Sequence, residues 1–359
     1  MRPVARRCPR SLGARLLGGL FVSVLLVVLL VGCAQDTRTV VTVYTPHGRE
    51  LMTDLKARFE REHPTIDVQW VDLASQAVLD RVRAEKSGPK ADVWFGAPSE
   101  MFDRAANEGL LAAYTPSWAD AIPADAKDTA GFWYGTYLTP EVIGYNTVGV
   151  RAADAPRDWS DLASPRWKGK LLLRDPVASG TMQAIFGAIL QRSISQTGNT
   201  EQGWRWLERV DANTREYTAS ATDLYQKLGR RLGVVTMYNM PDLATLEARL
   251  SMPVKVVIPS SGTPLSIDGI AILRGAPRQE EAKIFVNFVA SREVMLVAAR
   301  DHLRMPARND VPPDSLPKWI RDAQKAIVPM ALDRQLMADS LAVWMTAWDA
   351  RVRNRFRGK

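Results

Sequence analysis

The chain joins a predicted strand to a predicted helix in Lys170-Leu-Leu-Leu-Arg-Asp-Pro-Val-Ala-Ser-Gly-Thr-Met182. The apolar run at 171–173 predicts a short strand, and apolar residues recur at helical spacing after Ser179. The apolar face of that helix consists of Met182, Ile185, Phe186, Ile189 and Leu190. We therefore expect Ser179, Gly180 and Thr181 to lie at the start of a helix.

This helix start is a candidate anion site. Its first backbone N–H groups lack carbonyl partners within the helix, and the helix dipole adds partial positive charge. Gly180 would let a ligand approach the backbone, and the hydroxyls of Ser179 and Thr181 would add donors. Serine and threonine are also ordinary capping residues, so the triplet is equally typical of a cap without a ligand. The triplet alone leaves both interpretations open.

Strand and helix signals alternate on both sides of this stretch. Before it, strands are predicted at 40–44, 66–71 and 91–95, each followed by a helix, with Pro98 as the first residue of the third helix. A strand at 142–145 is predicted to cross between two lobes. After the opening stretch come helices at 204–210, 242–250 and 279–290 and strands at 233–237, 254–258 and 266–273.

This order predicts an α/β fold of two doubly wound lobes with parallel strands, joined by a hinge. The chain is predicted to be helical from 316 to its end. The expected boundaries are 33–140 and 267–305 for the two parts of lobe I, 141–266 for lobe II and 306–359 for a C-terminal helical segment.

The first 32 residues are predicted to be a leader. Five arginines precede an apolar run at 16–31, which ends in Leu30-Val31-Gly32-Cys33. That tetrad resembles the bacterial lipobox. The resemblance implies cleavage before Cys33, lipidation of its sulfur and a membrane-anchored protein in the periplasm or at the cell surface. An uncleaved membrane span is disfavoured because Gly18 and Gly19 interrupt a run already shorter than the ~20 residues that a span needs.

Composition excludes several classes of protein once the leader is set aside. Removing its five arginines lowers the formal charge from +8 to +3, so the basic balance does not indicate a nucleic-acid partner. The chain has two cysteines, Cys8 and Cys33, which excludes a disulfide framework in the mature protein. Its 46% hydrophobic content can fill the cores of two lobes, and we expect a monomer.

Ligands of open α/β sheets bind beyond the carboxyl ends of the strands, in the loops where helices begin. Small residues and neutral hydrogen-bond donors dominate these loops, which is typical of a cleft for a small polar or anionic solute. The candidate ligand-binding residues are His47, Ser75, Gln76, Trp94, Ser179, Gly180, Thr181, Tyr238, Asn239, Asp268 and Gly269.

The sequence predicts no catalytic residue, no metal site and no cofactor. His47, His63 and His302 are far apart and show no metal-ligand spacing. The chain has no Gly-x-Ser-x-Gly elbow, no phosphate-loop lysine motif and no dinucleotide glycine signature. Ser179, His47 and Asp268 could be arranged across the cleft, but their spacing does not support a catalytic triad, so an enzyme is disfavoured.

The leader, the order of elements, Trp167-Lys-Gly-Lys170 and Arg304-Met-Pro-Ala-Arg308 together resemble the extracellular solute-binding lipoproteins of ATP-binding-cassette (ABC) importers. The resemblance covers 40–309 and points to the ferric-ion-binding branch. It implies a type II periplasmic-binding-protein fold, a small-molecule solute and a permease partner in the membrane. In that branch, the counterpart of Ser179–Gly180–Thr181 holds a phosphate-like anion beside the metal.

Two positions depart from the ferric branch. Gln76 replaces its glutamate ligand, and Asn239-Met-Pro241 stands where it has a tyrosine pair, so that only Tyr238 remains nearby. Ferric ion prefers anionic oxygen ligands. The sequence therefore predicts that the anion itself is the ligand: a phosphate ester, a phosphonate or a similar organic acid.

Three alternatives stay open: ferric iron with a synergistic anion, a cationic solute of the thiamine or polyamine type, and a sensory receptor lipoprotein. Acidic residues near the predicted cleft bear on the cationic alternative. Glu141, Asp242 and Asp268 leave room for a ligand that also carries an amine, or they are hinge and cap residues.

Overall fold

The computed structural model describes residues 37–353, in which one compact unit begins at Thr39. The predicted leader and the predicted lipidation site Cys33 lie outside the described residues. No helix within 37–353 combines the length and the apolar composition that crossing a membrane requires.

The strands of the described part are β1 (Thr39–Thr45), β2 (Ile66–Asp72), β3 (Val93–Pro98), β4 (Leu111–Ala112), β5 (Tyr134–Asn146), β6 (Leu171–Arg174), β7 (Thr214–Thr218), β8 (Val235–Asn239), β9 (Val254–Val257), β10 (Leu265–Leu273) and β11 (Met305–Pro306).

The helices of the described part are α1 (Arg49–Glu62), α2 (Ser75–Ala84), α3 (Ser99–Asn107), α4 (Trp159–Leu162), α5 (Gly180–Thr197), α6 (Glu201–Asn213), α7 (Ala221–Gly229), α8 (Met240–Ala248), α9 (Gln279–Val289), α10 (Arg292–Asp301), α11 (Lys318–Ala326) and α12 (Arg334–Arg351).

A mixed sheet runs through both lobes in the order β2-β1-β3-β10-β5-β8-β6-β7. Parallel pairs occupy its two sides: β1 with β2 and β3 in lobe I, and β6 with β7 and β8 in lobe II. The 13-residue β5 pairs with β10 through its first half and with β8 and β9 through its second half. It is therefore the strand that joins the lobes.

The predicted α/β fold of two lobes is confirmed, and the prediction of all-parallel strands is corrected in the middle of the sheet. There β10 returns to lobe I antiparallel to β3 and β5, and β5 is antiparallel to β8. Asp268 and Gly269, which were expected in a loop, lie inside β10 at an irregularity in its pairing with β5. Pro98 ends β3 with extended backbone angles, and α3 begins one residue later at Ser99.

Apolar faces predicted from helical spacing are buried in the cores. In lobe I, Leu51, Leu55 and Phe59 of α1 are at most 3% exposed, and the Phe59 ring meets Phe285 edge-on at 5.3 Å. In lobe II, α5 is buried on nearly every side because α12 covers the face turned away from the sheet. Gly187 allows this packing, since a Cβ there would lie 2.5 Å from a Met337 atom.

Helix α12 contacts both lobes. At its start, Arg334 pairs with Asp103 of lobe I at 3.1 Å and donates to the Asp125 carbonyl at 2.8 Å. Further along, Trp348 packs edge-on against Phe186 of lobe II, with ring centroids 5.8 Å apart. The C-terminal segment is thus part of the two-lobed body.

Candidate ligand-binding cleft

Within the described residues, the helices α2, α3, α5 and α8 begin beyond the ends of β2, β3, β6 and β8, where the two lobes face each other. Their first residues are Ser75, Ser99, Gly180 and Met240. Each helix start carries backbone N–H groups without a carbonyl partner inside the helix, together with the positive end of a helix dipole. The cleft is therefore suited to an anionic group.

The two lobes touch at the starts of α2 and α5. A Cβ built on Gly180 would lie 2.7 Å from the Ser75 hydroxyl oxygen and 2.7 Å from Cδ of Pro98. The Gln76 backbone N–H donates to the Ala178 carbonyl at 3.4 Å. Only glycine allows this approach, so the structure shows a closed cleft at this point.

Ser179 has a capping role in the structure. It is 4% exposed, and its hydroxyl accepts a hydrogen bond from the Met182 N–H at 3.4 Å. Thr181, in the first turn, is half-buried. The cap interpretation is therefore observed directly.

His47 forms part of the lobe I wall. Its ring lies against Phe95, with ring centroids 4.6 Å apart, and near Tyr137 at 5.6 Å. Burial, followed by the positive charge of Arg304, lowers the pKa of His47 well below its usual value, so the imidazole is neutral at pH 7. Neither His47 Nε2 nor the Tyr137 hydroxyl has a hydrogen-bond partner in the described structure.

A charged network links the lobes beside this wall. Arg304, which precedes β11, donates from Nη2 to Asp242 Oδ1 at 3.2 Å. The other Asp242 oxygen accepts from the Tyr225 hydroxyl at 2.7 Å and from the Asn239 amide at 3.0 Å. Asn239 in turn caps α8 by accepting the Asp242 N–H at 2.9 Å. Arg304 Nε is buried and has no hydrogen-bond partner in the described part of the chain.

Three further carboxylates are buried near this network. Asp268 accepts from the Thr139 hydroxyl at 2.8 Å, and Glu141 accepts from the Ser266 hydroxyl at 2.8 Å. Burial raises the pKa of Asp268 to about 6 and that of Glu100 to about 7. Burial also raises the pKa of Glu141 well above its usual value, helped by the charges of Asp268, Asp242 and Glu100.

Arg174 and Tyr238 line lobe II beside the start of α5. Arg174 is 5% exposed and donates to the Thr218 carbonyl at 3.4 Å, while its Nε has no partner in the described structure. Burial and the charge of Asp242 raise the pKa of Tyr238 to about 12, so its phenol stays protonated. The Tyr225 ring lies next to the Tyr238 ring, with centroids 6.1 Å apart.

The predicted ligand-binding residues fall into three groups. Ser75, Gln76, Ser179, Gly180 and Thr181 meet where the lobes touch, and His47, Tyr238, Asn239 and Asp268 belong to the polar wall and the charged network. Trp94 is fully buried in the lobe I core, where its indole stacks on the Phe102 ring with centroids 4.3 Å apart. Gly269 also packs against the Phe102 ring.

Sequence patterns did not single out five other residues of the cleft: Glu100, Tyr137, Arg174, Tyr225 and Arg304. Glu100 is the second residue of α3, two residues after Pro98, and an acidic residue in the first turn of a helix that borders the cleft is a local signal for it. No local signal marks Arg304 or Tyr225, because their partner Asp242 is far away in sequence.

Other surface features lie away from this cleft. A groove of 740 Å³ on lobe I is lined by parts of α1, α9 and α10, including Arg58 and Phe288. Over residues 37–353, no group of three or more His, Cys, Asp or Glu side chains is arranged to hold a metal ion.

The sequence profile of the family described as "Bacterial extracellular solute-binding protein" matches residues 88–326. The chain belongs to this family. A relative from Sinorhizobium fredii, named "Probable ABC transporter periplasmic-binding protein y4fP", is 27% identical over 87% of this chain and 86% of its own length. Another, the "Putative 2-aminoethylphosphonate-binding periplasmic protein" of Salmonella typhimurium, is 30% identical over 69% of this chain and 72% of its own length.

Solved structures share the fold of this solute-binding protein. The periplasmic binding protein AfuA from Actinobacillus pleuropneumoniae, with fructose-6-phosphate bound, superimposes with a TM-score of 0.76 at 22% identity, covering 88% of this chain and 98% of AfuA. Apo ferric ion-binding protein A of Pasteurella haemolytica gives a TM-score of 0.74 at 19% identity, covering 89% and 99%. The fold is that of the type II periplasmic binding proteins, the type of solute-binding protein that serves ABC importers.

Proposed function

We propose that this solute-binding protein captures a small anionic solute, a phosphate ester, phosphonate or similar organic acid, and delivers it to the membrane permease of an ABC importer. One observation carries the proposal: the starts of α2 and α5, one from each lobe, meet across the cleft at Ser75 and Gly180.

Two positive helix ends that face each other repel unless negative charge lies between them. An anion bound there is attracted by both lobes, so it favours closure as well as binding. Gly180 lets the two helix starts approach each other, and Arg174 at the end of β6 supplies a buried guanidinium on the lobe II side. The 30% identical relative, whose name specifies a phosphonate, supports this class of solute.

Ferric iron is the weaker candidate, because the buried guanidinium of Arg304 lies among the groups that would bind it. Its positive charge acts on His47, Tyr137 and Tyr225. Tyr225 is a second phenol beside Tyr238, but burial raises the pKa of both phenols. The Tyr225 hydroxyl already donates a hydrogen bond to Asp242. Fe³⁺ prefers anionic oxygen ligands, and among residues 37–353 no three His, Cys, Asp or Glu side chains are arranged to hold a metal ion.

Thermal shift of the purified domain from residue 34 onward tests the proposed ligand class. Ethylphosphonate, 2-aminoethylphosphonate, fructose-6-phosphate, spermidine and ferric citrate are compared at equal concentration. A ligand at a hundred times its Kd stabilises by about 2.7 kcal/mol. Stabilisation by a phosphonate or phosphate ester is expected. Stabilisation by spermidine alone, or a coloured stoichiometric complex with ferric citrate, would replace the proposal with one of the alternatives.

We also propose that the solute is bound and released unchanged. Nε2 of the neutral, buried His47 has no hydrogen-bond partner in the described structure, so no hydroxyl is paired with it as a nucleophile is paired with a histidine base. Phosphorus NMR of the bound solute should show a single unaltered species after prolonged incubation. A new phosphorus signal that grows in proportion to protein concentration would identify an enzyme.

The proposed location is outside the cytoplasmic membrane, with an anchor at Cys33, as a monomer without a nucleic-acid partner. The Leu30-Val31-Gly32-Cys33 tetrad supports the anchor. Cys33→Ser in the full chain should release the protein or leave its leader attached. Normal leader cleavage together with unchanged membrane retention would argue against lipidation.

A further inference from the structure

Four carboxylates share one buried neighbourhood of the cleft: Glu100, Glu141, Asp242 and Asp268. Glu141 is subject to the charges of the other three. Arg304 pairs with Asp242 and acts electrostatically on Asp268, whereas the nearest cation that acts on Glu100 is Arg334 of α12. The neighbourhood therefore holds more carboxyl groups than cations, and their burial without matching cations disfavours the ionised forms, in line with the raised pKa of Glu100 and Glu141.

Buried oxygen atoms that have no hydrogen-bond partner within residues 37–353 lie in the same place. Glu141 is 1% exposed, and its Oε2 accepts no hydrogen bond, although Oε1 is held by Ser266. Glu100 is 8% exposed, and its Oε2 likewise lacks a donor. The Tyr137 hydroxyl is an independent case: it is fully buried, subject to the charges of Arg304 and Asp268, and also unpartnered.

Each of these atoms can accept a hydrogen bond, and none of them receives one from the described residues. An unpaired buried polar atom is costly, so each one indicates a group that is present when the protein functions. A primary ammonium has one positive charge and three N–H donors but no acceptor, which matches both the surplus charge and the missing donors.

We propose that Glu100, Glu141 and the Tyr137 hydroxyl form a subsite for a primary ammonium group, so that the solute is a zwitterion. The ammonium is held from lobe I and the joining strand β5, while the phosphonate or phosphate-ester group lies beside the contact of α2 with α5. The inference rests on the proposed function, because it assigns the second end of the same solute.

Three probes separate the two ends of the ligand in calorimetry: 2-aminoethylphosphonate, ethylphosphonate and ethanolamine. The ammonium should tighten binding of 2-aminoethylphosphonate over ethylphosphonate by roughly tenfold to hundredfold, the value of a charged hydrogen bond. Glu141→Gln keeps the side-chain shape and should remove most of this difference while leaving ethylphosphonate binding unchanged. Asp211→Asn is the matched control, since this lobe II carboxylate is hydrogen-bonded to Tyr217 and is not a cleft residue.

Glu100→Gln is the second variant, in case Glu141→Gln does not fold; it should weaken only ligands with an ammonium. Equal affinity for the two phosphonates, unaffected by both variants, would overturn the ammonium subsite and leave the proposed function standing. Binding of ethanolamine that is lost in Glu141→Gln, with no binding of either phosphonate, would support the subsite and refute the proposed anion site. No binding of any probe would overturn both.

Proton release gives a readout that a purely structural role would not produce. Burial raises the pKa of Glu100 to about 7, so the ligand-free cleft holds a bound proton in part of the molecules at neutral pH. A bound ammonium favours the carboxylate, so 2-aminoethylphosphonate should release protons and ethylphosphonate should not. Calorimetry in two buffers of different ionisation enthalpy counts these protons. Release of the same number of protons on binding of 2-aminoethylphosphonate and of ethylphosphonate would contradict the proposal.

Discussion

Gly180 lies against Ser75 so closely that a Cβ on the glycine would be 2.7 Å from the serine hydroxyl oxygen and 2.9 Å from the serine Cβ. Such distances are too short for a real side chain. The contact joins the first turns of two helices from different lobes, so closure of the cleft requires a glycine at this position.

Gly180→Val should weaken solute binding by about tenfold or more, because its side chain meets Pro98 and Ser75 only when the lobes are closed. Small-angle scattering should show a larger radius of gyration in the presence of the solute than for the parent protein. Gly88→Ala is the control, since nothing lies within 4 Å of the Cβ that it adds. Tight binding with a parent-like radius would show that the two lobes do not need this contact.

Ser179→Ala distinguishes a cap from a ligand contact. Loss of the bond to the Met182 N–H should cost ~1 kcal/mol of stability, as for other caps. If the hydroxyl also binds the anion, affinity should fall by roughly tenfold. Ser291→Ala removes a comparable cap on α10, where the serine accepts from Val294 at 3.3 Å, and should affect stability alone. A lower melting temperature with an unchanged Kd would assign Ser179 a purely structural role.

The protonated form of Glu100 should stabilise the ligand-free protein at low pH. Its folded pKa is about 7 against an ordinary value of 4.5, so this contribution is complete below pH ~4.5 and is lost as the pH rises through ~7. Glu100→Gln should therefore gain stability relative to the parent by up to about 3 kcal/mol between pH ~5 and ~8. Urea unfolding of both proteins across that range measures the difference. If the difference in unfolding free energy between the two proteins does not change with pH, the folded protein does not disfavour the charged form of Glu100.

Arg304→Gln should destabilise the protein by about 3 kcal/mol near neutral pH, because it leaves the buried Asp268 and the half-buried Asp242 without their guanidinium. The loss should shrink near pH ~5, where Asp268, with a pKa of about 6, takes up a proton. Arg151→Gln is the control: its pair with Asp154 is on the surface, so the expected change is below about 0.5 kcal/mol. A loss of equal size at both pH values would argue against charge as its cause.

Local periodicity was sufficient to predict most of the fold. The apolar face of α1 and the capping residues before α5 are signals within a few residues of one another, and they placed both elements correctly. Strand β7 was missed because its sequence, Thr-Arg-Glu-Tyr-Thr, has no apolar alternation. Helix α10 was missed because only two residues separate it from α9, so their apolar patterns run together. The direction of β10 depends on where the chain returns, which no local pattern records.

The candidate site likewise has one part that local sequence predicts and one part that it does not. The helix start at Ser179 could be predicted, because capping residues and glycine are adjacent in sequence. The charged network could not, since Arg304 and its partner Asp242 are 62 residues apart and Glu141 and Ser266 are 125 apart. Neither pair has a spacing that indicates contact, and only the folded sheet brings them together.

Helix α12 bears on how an importer distinguishes loaded from empty binding proteins. Because α12 is packed on both lobes, opening about β5 must either pull Arg334 away from Asp103 and the Asp125 carbonyl or separate Trp348 from Phe186. The protein alone makes these contacts, so they bias the empty protein toward closure. Empty molecules that resemble loaded ones compete for the same permease. As the amount of binding protein is increased, the uptake rate should therefore reach its maximum at a lower amount than it would if α12 were packed on one lobe alone.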